Sequence, residues 1–355
     1  MYTRFSDNDI VTRQAQELVT STWTNNTNNL QVVHTASSQA DFSTATSSGQ
    51  FFIEVYNGAS SDAASEVQYA ISYGHKEGSG SLDFTNDTGS FGLSATKVIY
   101  NQYRQLHFND DTQTFTFGTH TPDDIFVINI NRARYKQRLT LGSLNLHISG
   151  TTKGDEGSAA PTNHGGIIHL TDDSVTNGQA GTSNLGPYYN VVSGSNGVLS
   201  GSVTNQVGGS SSFGFFYPEA GIIILNADAF ANSDTGSLLI TSGSEDANTS
   251  AKNHETLLEH ISAAGHFIID TTEEINSQFY FCRARNDQFN YTNNESFVDA
   301  NKNIRFESMK LNPKVFITTV GLYNDAFELV AIAKLSQPVA KDFTKESLIR
   351  VKLDY

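Results

Sequence analysis

The sequence predicts a mainly β fold, β-sandwich-like with a few short helices and α+β overall, and three observations support this prediction. The chain holds 28 Gly but only 6 Pro, and Ser, Thr and Asn are abundant, which suits short strands joined by many turns. Apolar runs with a period of two recur along the chain. Only a few stretches show helical spacing. At 355 residues, the chain is long enough for two domains or one large β-rich domain with its own core.

The N-terminal 149 residues divide into an arm and the first part of a β scaffold. Residues 1–45 predict an arm with a helix, because apolar residues between Asp9 and Trp23 lie near helical spacing; the residues that follow could equally feed a strand. Residues 46–149 predict strands and one helix, with Ser94 as its N-cap. The predicted segments are the strands FFIEVYN, EVQYAISYGH, DDIFVININRARY and LGSLNLHISG, and the helix ATKVIYNQYRQLHF.

The remaining residues predict an elaboration and the second part of the scaffold. Residues 150–212 are rich in Gly and Ser and predict a β elaboration with long exposed loops around short strands. Residues 213–355 predict one helix, a terminal hairpin and several strands. The predicted segments are the continuous core strand FGFFYPEAGIIILN, the helix KNHETLLEHISAA, and the strands FIID, QFYFCRAR, NIRFES and LIRVKLDY.

The most strongly patterned segment is the predicted hairpin of residues 313–338. Val315 to Tyr323 alternates with a period of two, Asn324 and Asp325 favour a turn, and an apolar run resumes at Phe327. Both faces of this hairpin carry apolar or Thr residues. We therefore expect at least one face to be covered by other parts of this chain or by another chain.

The charge and the hydropathy of the chain limit its partners. The net charge of −15, from 37 acidic and 22 basic residues, is spread along the sequence and disfavours direct binding to nucleic acid. We expect no membrane partner and no export by the ordinary route, because neither a run of about 18 apolar residues nor a signal-peptide pattern is seen. The lone Cys282 cannot form an internal disulfide and predicts a small buried hydrophobe.

The residues that could carry chemistry do not assemble into a known motif. His164 and His169 lie five apart with Asp172 and Asp173 after them, but that spacing in an extended segment places the two rings on opposite faces. No third ligand stands at a typical distance, so we expect no metal site. The acidic clusters lack the Gly and Glu positions of a calcium loop. Nucleotide-binding and hydrolase motifs are missing from the sequence, so we expect no cofactor, no catalytic residue and no enzymatic activity.

A segment near the C-terminus has the composition of an interface. Arg283 and Arg285 lie on the same face of a predicted strand. The Asn-rich loop that follows contains Phe289, Tyr291 and Phe297. Arg and aromatic residues are enriched in interface cores. We predict that these five residues bind a partner. The alternative is that the aromatic rings cap the β core of this chain from a loop.

Several stretches together resemble virion structural proteins of contractile-tailed phages, especially those of marine cyanobacteria and related hosts. They run in order from about Glu66 to the C-terminus: EVQYAISYGHKEGSGS, ATKVIYNQYRQL, FVININRARYKQRL, FGFFYPEAGIIILN, RARNDQFNYTNN and ITTVGLYNDAFELVAIAKLSQPVAKDFTKESLIRVKLDY. Two turns depart from the family pattern. Glu295 and Ser296 follow an Asn pair where Pro and a hydroxyl residue are usual, and residues 140–142 read Thr-Leu-Gly in place of Asp-Pro-Gly.

The resemblance implies a non-enzymatic virion component, in the tail or baseplate. Its partners would be other virion proteins and copies of itself, and it would reside in the virion and, before assembly, in the host cytoplasm. A capsid or neck protein is a related alternative. A carbohydrate-binding or depolymerase-type tail protein is an alternative from another class, because Asn-rich and aromatic loops could stack on sugars. Such a protein should place Tyr or Trp in an exposed groove, and the one Trp here is Trp23.

Overall fold

The computed structural model describes residues 3–24, 30, 34–35, 52–58, 62–78, 95–118, 120–149, 167–200, 212–230, 253–290 and 294–355. These residues form two helices and antiparallel sheets, which confirms the predicted mainly β, α+β fold. The helices are α1 (Ala95–Phe108) and α2 (Asn253–Ala264). The strands are β1 (Ile10–Ser21), β2 (His34–Thr35), β3 (Phe52–Tyr56), β4 (Val67–His75), β5 (Asp124–Ile130), β6 (Arg138–Leu139), β7 (Asn145–Ser149), β8 (Ile167–Asp172), β9 (Gly181–Ser183), β10 (Gly186–Ser195), β11 (Val198–Leu199), β12 (Ser212–Tyr217), β13 (Ile222–Asn226), β14 (Phe267–Ile268), β15 (Asp270–Ala284), β16 (Val315–Tyr323), β17 (Leu329–Lys341) and β18 (Ser347–Asp354).

The chain divides into two compact units. The large unit comprises residues 18–273, and the small unit comprises residues 1–17 and 274–355. The chain passes from one unit to the other within β1 and again within β15. Within the described residues, no helix is long and apolar enough to cross a membrane.

The large unit is built on one antiparallel sheet of 12 strands. Ten of them follow the order β14-β7-β8-β10-β12-β13-β5-β4-β3-β2, and β9 and β11 both pair with β10. The central strands β5 and β13 are buried on both faces: Ile128 and Ile223 belong to one core, and Val127 and Ile224 to the other. Helix α2 contributes to the first core and α1 to the second. The unit therefore buries apolar side chains on both faces of its sheet.

The predicted helix of residues 94–108 is confirmed as α1, which packs closely against β4. Its predicted N-cap, Ser94, lies outside the described residues. A Cβ placed on Gly74 of β4 would stand 2.8 Å from the backbone nitrogen of Tyr100. Since real Cβ atoms do not approach a backbone atom so closely, this position requires Gly.

The N-terminal helix prediction was wrong, because residues 10–21 form β1. Val11 and Leu18, which suggested a helical stripe, are both 46% exposed, so no core covers them. The segment instead joins β15 and β18 in a sheet. Pairing with a neighbouring strand outweighs a weak local preference for helix.

Two strand predictions in the C-terminal half need correction. The run FGFFYPEAGIIILN is not one strand but the hairpin of β12 and β13, which turns at Pro218–Gly221 with Gly221 at φ +68°. The segment NIRFES is not a strand. Ile304 makes a single bridge to Val298, and the side chain of Asp299 accepts backbone hydrogen bonds from Asn301 and Asn303, which fold the segment into a turn.

The predicted elaboration of residues 150–212 includes interior strands of the main sheet. Strand β8 pairs with β7 and β10, and β10 also pairs with β12. For residues 167–200, the expectation of a surface addition is therefore corrected. The Gly-rich and Ser-rich loops at 150–166 and 201–211 lie outside the described residues.

The small unit contains the order β1-β15-β18 and a separate hairpin of β16 and β17. In the first sheet, Phe279 of β15 lies between two guanidinium groups: the Cζ atoms of Arg13 and Arg350 are 5.8 and 5.1 Å from its ring centre. Cation–π contacts of this kind stabilise neighbouring strands. Cys282 is half-buried rather than fully buried, and burial raises the pKa of its thiol.

Candidate functional site

The predicted C-terminal hairpin is confirmed and forms the candidate site. Strands β16 and β17 pair antiparallel from Val315 opposite Lys341 to Tyr323 opposite Leu329. At the turn, the side-chain oxygen of Asn324 accepts a hydrogen bond from the backbone nitrogen of Glu328 at 2.8 Å. A short polar side chain that bonds its own backbone explains why the sequence turns at this point.

The two faces of the hairpin differ in burial. Leu322 is only 7% exposed, and its neighbours on the same face, Val320 and Ala331, are half-buried. On the opposite face, Leu329 and Ile332 are 52% and 62% exposed. Large apolar side chains exposed together on one surface mark sites of interaction. One apolar face of the hairpin is therefore exposed within the described structure.

A groove of about 1280 Å³ runs along β16 within the small unit. Its walls come from β16, from the N-terminal segment at Phe5, from the end of β15 at Cys282 and from Phe289. Its charged residues balance: Arg4 forms an exposed ion pair with Asp325 at 3.1 Å, and Asp9 and Arg283 attract each other. Hydrogen bonds from Ser6 lower the pKa of Asp9. The groove exceeds the roughly 300–1,000 Å³ of most small-molecule pockets, and its lining is about equally polar and apolar.

The free edges of the hairpin strands also differ. Within the described residues, the sheet contains just these two strands. The register shifts between Ile317 and Thr319, opposite a stretch of β17 that contains Pro338. Strand β17 thus carries Lys334, Pro338 and an irregularity, whereas β16 contains neither a charged residue nor Pro. Proteins protect exposed strand edges with Lys, Pro and bulges. Strand β16 has neither Lys nor Pro, and the register shift that it shares with β17 is its one feature of this kind.

A buried lysine ties the base of the hairpin to the neighbouring loop. Lys341 is fully buried, and its Nζ donates to the carbonyl oxygen of Asn286 at 3.1 Å and to Oδ1 of Asn290 at 2.7 Å. Burial lowers the pKa of this amine. The same loop carries Phe289 at φ +55°. These contacts fix the loop beside the groove.

The five predicted partner-binding residues are not equivalent in the structure. Arg283 and Phe289 line the groove, and Arg283 also forms an exposed ion pair with Glu346 at 2.7 Å. Arg285 is exposed but follows the end of β15. Phe297 is 6% exposed and stacks near Phe306, with 6.0 Å between ring centres, in line with the alternative that it belongs to this chain's own packing. Tyr291 lies outside the described residues.

Sequence reasoning missed the exposed apolar residues of the hairpin itself as site residues. Phe316 and Phe327 line the groove and are 60% and 65% exposed. The signal that could have identified them was already visible: apolar residues on both faces of a two-stranded element exceed what one sheet face can bury.

The net charge is not spread evenly between the units. Residues 18–273 contain 24 acidic and 9 basic residues, whereas residues 1–17 and 274–355 contain 13 of each. The large unit therefore carries the whole net charge of −15. The small unit, which holds the exposed hairpin, has no net charge, and the expectation of an even spread is corrected.

Titratable groups of the large unit converge at one end of β5. Burial, together with the nearby Asp228 carboxylate, raises the pKa of Asp124 to about 7, and the hydroxyl of Tyr73 donates to it at 3.0 Å. Asp228 in turn pairs with His120 at 2.7 Å. Asp124 is only 3% exposed. These contacts are those of a buried carboxyl group held by hydrogen bonds inside the fold.

His169 belongs to a stack of three histidines from three segments, which its sequence spacing from His164 did not indicate. His169 of β8 stands opposite His147 of β7, with ring centres 3.8 Å apart, and His266 lies 4.1 Å from His147 on the other side. His164 lies outside the described residues. Among the residues that the structure describes, no group of three or more His, Cys, Asp or Glu side chains is placed to hold a metal ion.

No protein-family model, no curated protein and no solved structure matches this chain.

Proposed function

We propose that the chain is a non-enzymatic structural component of a phage virion, of the tail or baseplate type, and that its small unit contacts other virion chains. The observation that carries this proposal is the exposed apolar hairpin, with Ile332 62% and Phe327 65% exposed on a unit without net charge. An assembly protein needs a fixed apolar surface for its partners. The acidic large unit would keep unassembled chains soluble.

The partners proposed are other virion proteins and copies of this chain, in the virion and, before assembly, in the host cytoplasm. The 24 acidic residues of the large unit disfavour contact with nucleic acid phosphates. No cofactor, metal ion or membrane is required by this function. A capsid or neck protein would use the same kind of surface and is the alternative to a tail or baseplate protein.

A sugar-binding tail protein receives less support from the geometry. Trp23 is 2% exposed, and its indole Nε1 donates to the carbonyl oxygen of Phe267 at 2.8 Å inside the core. It is therefore not available to stack on a sugar. At the groove this alternative retains Tyr323, which is 44% exposed, beside the exposed rings of Phe316 and Phe327.

The proposal is tested by following a tagged copy of the chain into purified particles. We expect the wild-type chain to be incorporated and Ile332→Asp to be strongly depleted, because a carboxylate on the apolar face must be desolvated at a contact. The matched control is Val98→Asp, since Val98 is 56% exposed on α1 of the large unit. Val98→Asp should incorporate as the wild type does. A wild-type chain absent from the particles would overturn the proposal, as would equal incorporation of both variants.

A further inference from the structure

We propose that β16 is the contact through which two copies of this chain associate, by antiparallel pairing with β16 of a second copy about a two-fold axis at Thr319. This inference rests on the proposed function, because it names one of the partners of the small unit. The pairing would join two hairpins into a four-stranded sheet in the order β17-β16-β16-β17.

The first argument is the unprotected edge of β16. All of its residues except Thr318 line the groove, and the groove residues include none from β17. The segment VFITTVGLY contains β-branched and aromatic residues without a charge or a Pro, a composition that favours strand pairing. Backbone groups on such an edge readily pair with a strand from another chain.

The second argument is that a two-stranded sheet is a poor stopping point. An isolated hairpin is marginally stable in water, and three or more strands with an apolar face are needed for a stable sheet. Here the exposed face carries Tyr323, Leu329 and Ile332. Doubling the sheet would bring two such faces together in one continuous surface.

The third argument is that the two-fold register matches side chains well. With the axis at Thr319, Thr319 stands opposite Thr319 of the second copy, and Thr–Thr pairs are favourable across strands. Ile317 stands opposite Gly321, which the side chains of Tyr323 and Leu329 cover, so Ile317 would contact these two apolar side chains. Val315 stands opposite Tyr323, an aromatic and β-branched pair of the favourable kind. The register creates no pair of like charges, because β16 has no charged residue.

The fourth argument is electrostatic and selects a second copy as the partner. The same register places Lys314, which is exposed, beside the Asn324–Asp325 turn of the second copy, and symmetry repeats this contact at the other end. Asp325 of that turn already pairs with Arg4 of its own chain at 3.1 Å, so Lys314 would join an existing ion pair at each end of the pairing. The small unit has no net charge, whereas an approach through the large unit would bring together two surfaces that each carry −15. An isologous contact through β16 avoids that repulsion.

The test is a cysteine at the proposed axis, Thr319→Cys, in a chain that also carries Cys282→Ser. Opposed residues of antiparallel strands have Cα atoms about 4.5–5.5 Å apart, within the range that a disulfide spans. We expect mild oxidation to convert Thr319→Cys into a covalent dimer. The matched control is Lys334→Cys, because Lys334 pairs with Thr319 across the hairpin but lies on the other strand; it should stay largely monomeric. Failure of Thr319→Cys to cross-link, or equal cross-linking of both variants, would overturn the inference.

A charge exchange at the same position provides a second measurement. Thr319→Lys alone and Thr319→Glu alone would each place like charges directly opposite, so both should dimerise several-fold more weakly than the wild type. A mixture of the two should recover the dimer mass in light scattering. Thr319 is exposed, so both variants should melt near the wild-type temperature. A wild-type chain that is monomeric at its highest soluble concentration, or a mixture that recovers nothing, would contradict the pairing.

The two proposals fail in different ways. If the wild-type chain enters particles but Thr319→Cys does not cross-link, the pairing through β16 fails, while the proposed function stands. If the wild-type chain dimerises through β16 but is absent from particles, the proposed function fails, while the pairing stands.

Discussion

The large and small units of this chain treat their apolar residues in opposite ways. Both hydrophobic cores, and all of the largest fully buried side chains from Trp23 to Phe267, belong to the large unit. The small unit is less than a third of the chain, yet among the described residues it contains 13 of the 18 exposed large hydrophobic side chains. The acidic unit therefore buries its apolar surface internally, and the neutral unit presents it. This difference separates the part of the sequence that builds a buried core from the part that leaves large apolar side chains on the surface.

The largest effect should come from comparing the same substitution in both units. Phe126→Ala removes a fully buried ring from β5, the strand that pairs with β4 and β13 in the large unit. We expect a loss of about 3–5 kcal/mol in the free energy of unfolding. Phe316→Ala removes a ring that is 60% exposed in the small unit and should cost about 1 kcal/mol or less. Denaturant unfolding measures both. Equal losses would mean that Phe316 belongs to an internal core and that the comparison is wrong.

Glycine substitutions should show the same contrast on a smaller scale. A Cβ at Gly74 meets the backbone nitrogen of Tyr100 at 2.8 Å, whereas a Cβ at Gly321 meets the ring of Tyr323 at 3.0 Å. The backbone of α1 cannot move aside, so Gly74→Ala should cost about 1–3 kcal/mol. The exposed Tyr323 side chain can rotate away, and Gly321→Ala should change the free energy of unfolding by about 0.5 kcal/mol or less. Thermal melting of the two variants measures both losses of stability. A larger loss for Gly321→Ala than for Gly74→Ala would show that the hairpin face is rigidly packed.

A smaller effect is expected from pH, and it should act on the large unit. Burial lowers the pKa of His107 to about 4, and its Nδ1 contacts the hydroxyl of Tyr217 at 2.8 Å. Because this folded-state pKa lies below the usual 6.5, the unfolded chain binds the proton first, and stability is lost as the pH falls from about 6.5 to about 4. Allowing for partial solvent access, we expect a loss of about 1–2 kcal/mol relative to the His107→Phe variant.

Asp124 also titrates in this pH range, and its effect on the free energy of unfolding has the opposite sign to that of His107. Its raised pKa of about 7 favours the protonated form in the folded chain, so its contribution to stability is lost as the pH rises from about 4 to about 7. The difference between wild type and His107→Phe cancels this contribution. Parallel pH profiles for these two proteins would show that His107 titrates normally in the fold.

The sequence predicted elements best where the local pattern and the tertiary partners agree. Helix α1 and the β16–β17 hairpin were predicted from periodicity and turn residues, and both are present. Strand β1 was missed because its apolar residues find no core and its strand form depends on β15, which lies far along the chain at Asp270–Ala284. The turn between β12 and β13 was missed because both flanking segments are buried on both faces and read as one apolar run.

The candidate site could be predicted only in part. Apolar patterning on both faces of the hairpin indicated an uncovered surface, and Arg283 and Phe289 do line the groove. The burial of Phe297 depends on its contact with Phe306, which no local pattern encodes. The difference between the β16 and β17 edges depends on the pairing register, so it becomes visible only when the strands are placed side by side.

The position of Cys282 gives the chain a built-in reporter. It is the single thiol of the protein, and it lines the groove beside β16. Because burial already slows its reaction by raising the pKa of the thiol, any strand that covers the groove should slow alkylation further. The alkylation rate of Cys282 in the unmodified protein would then measure the fraction of molecules whose groove is open. If copies of the chain cover the groove, this rate should fall as the protein concentration rises.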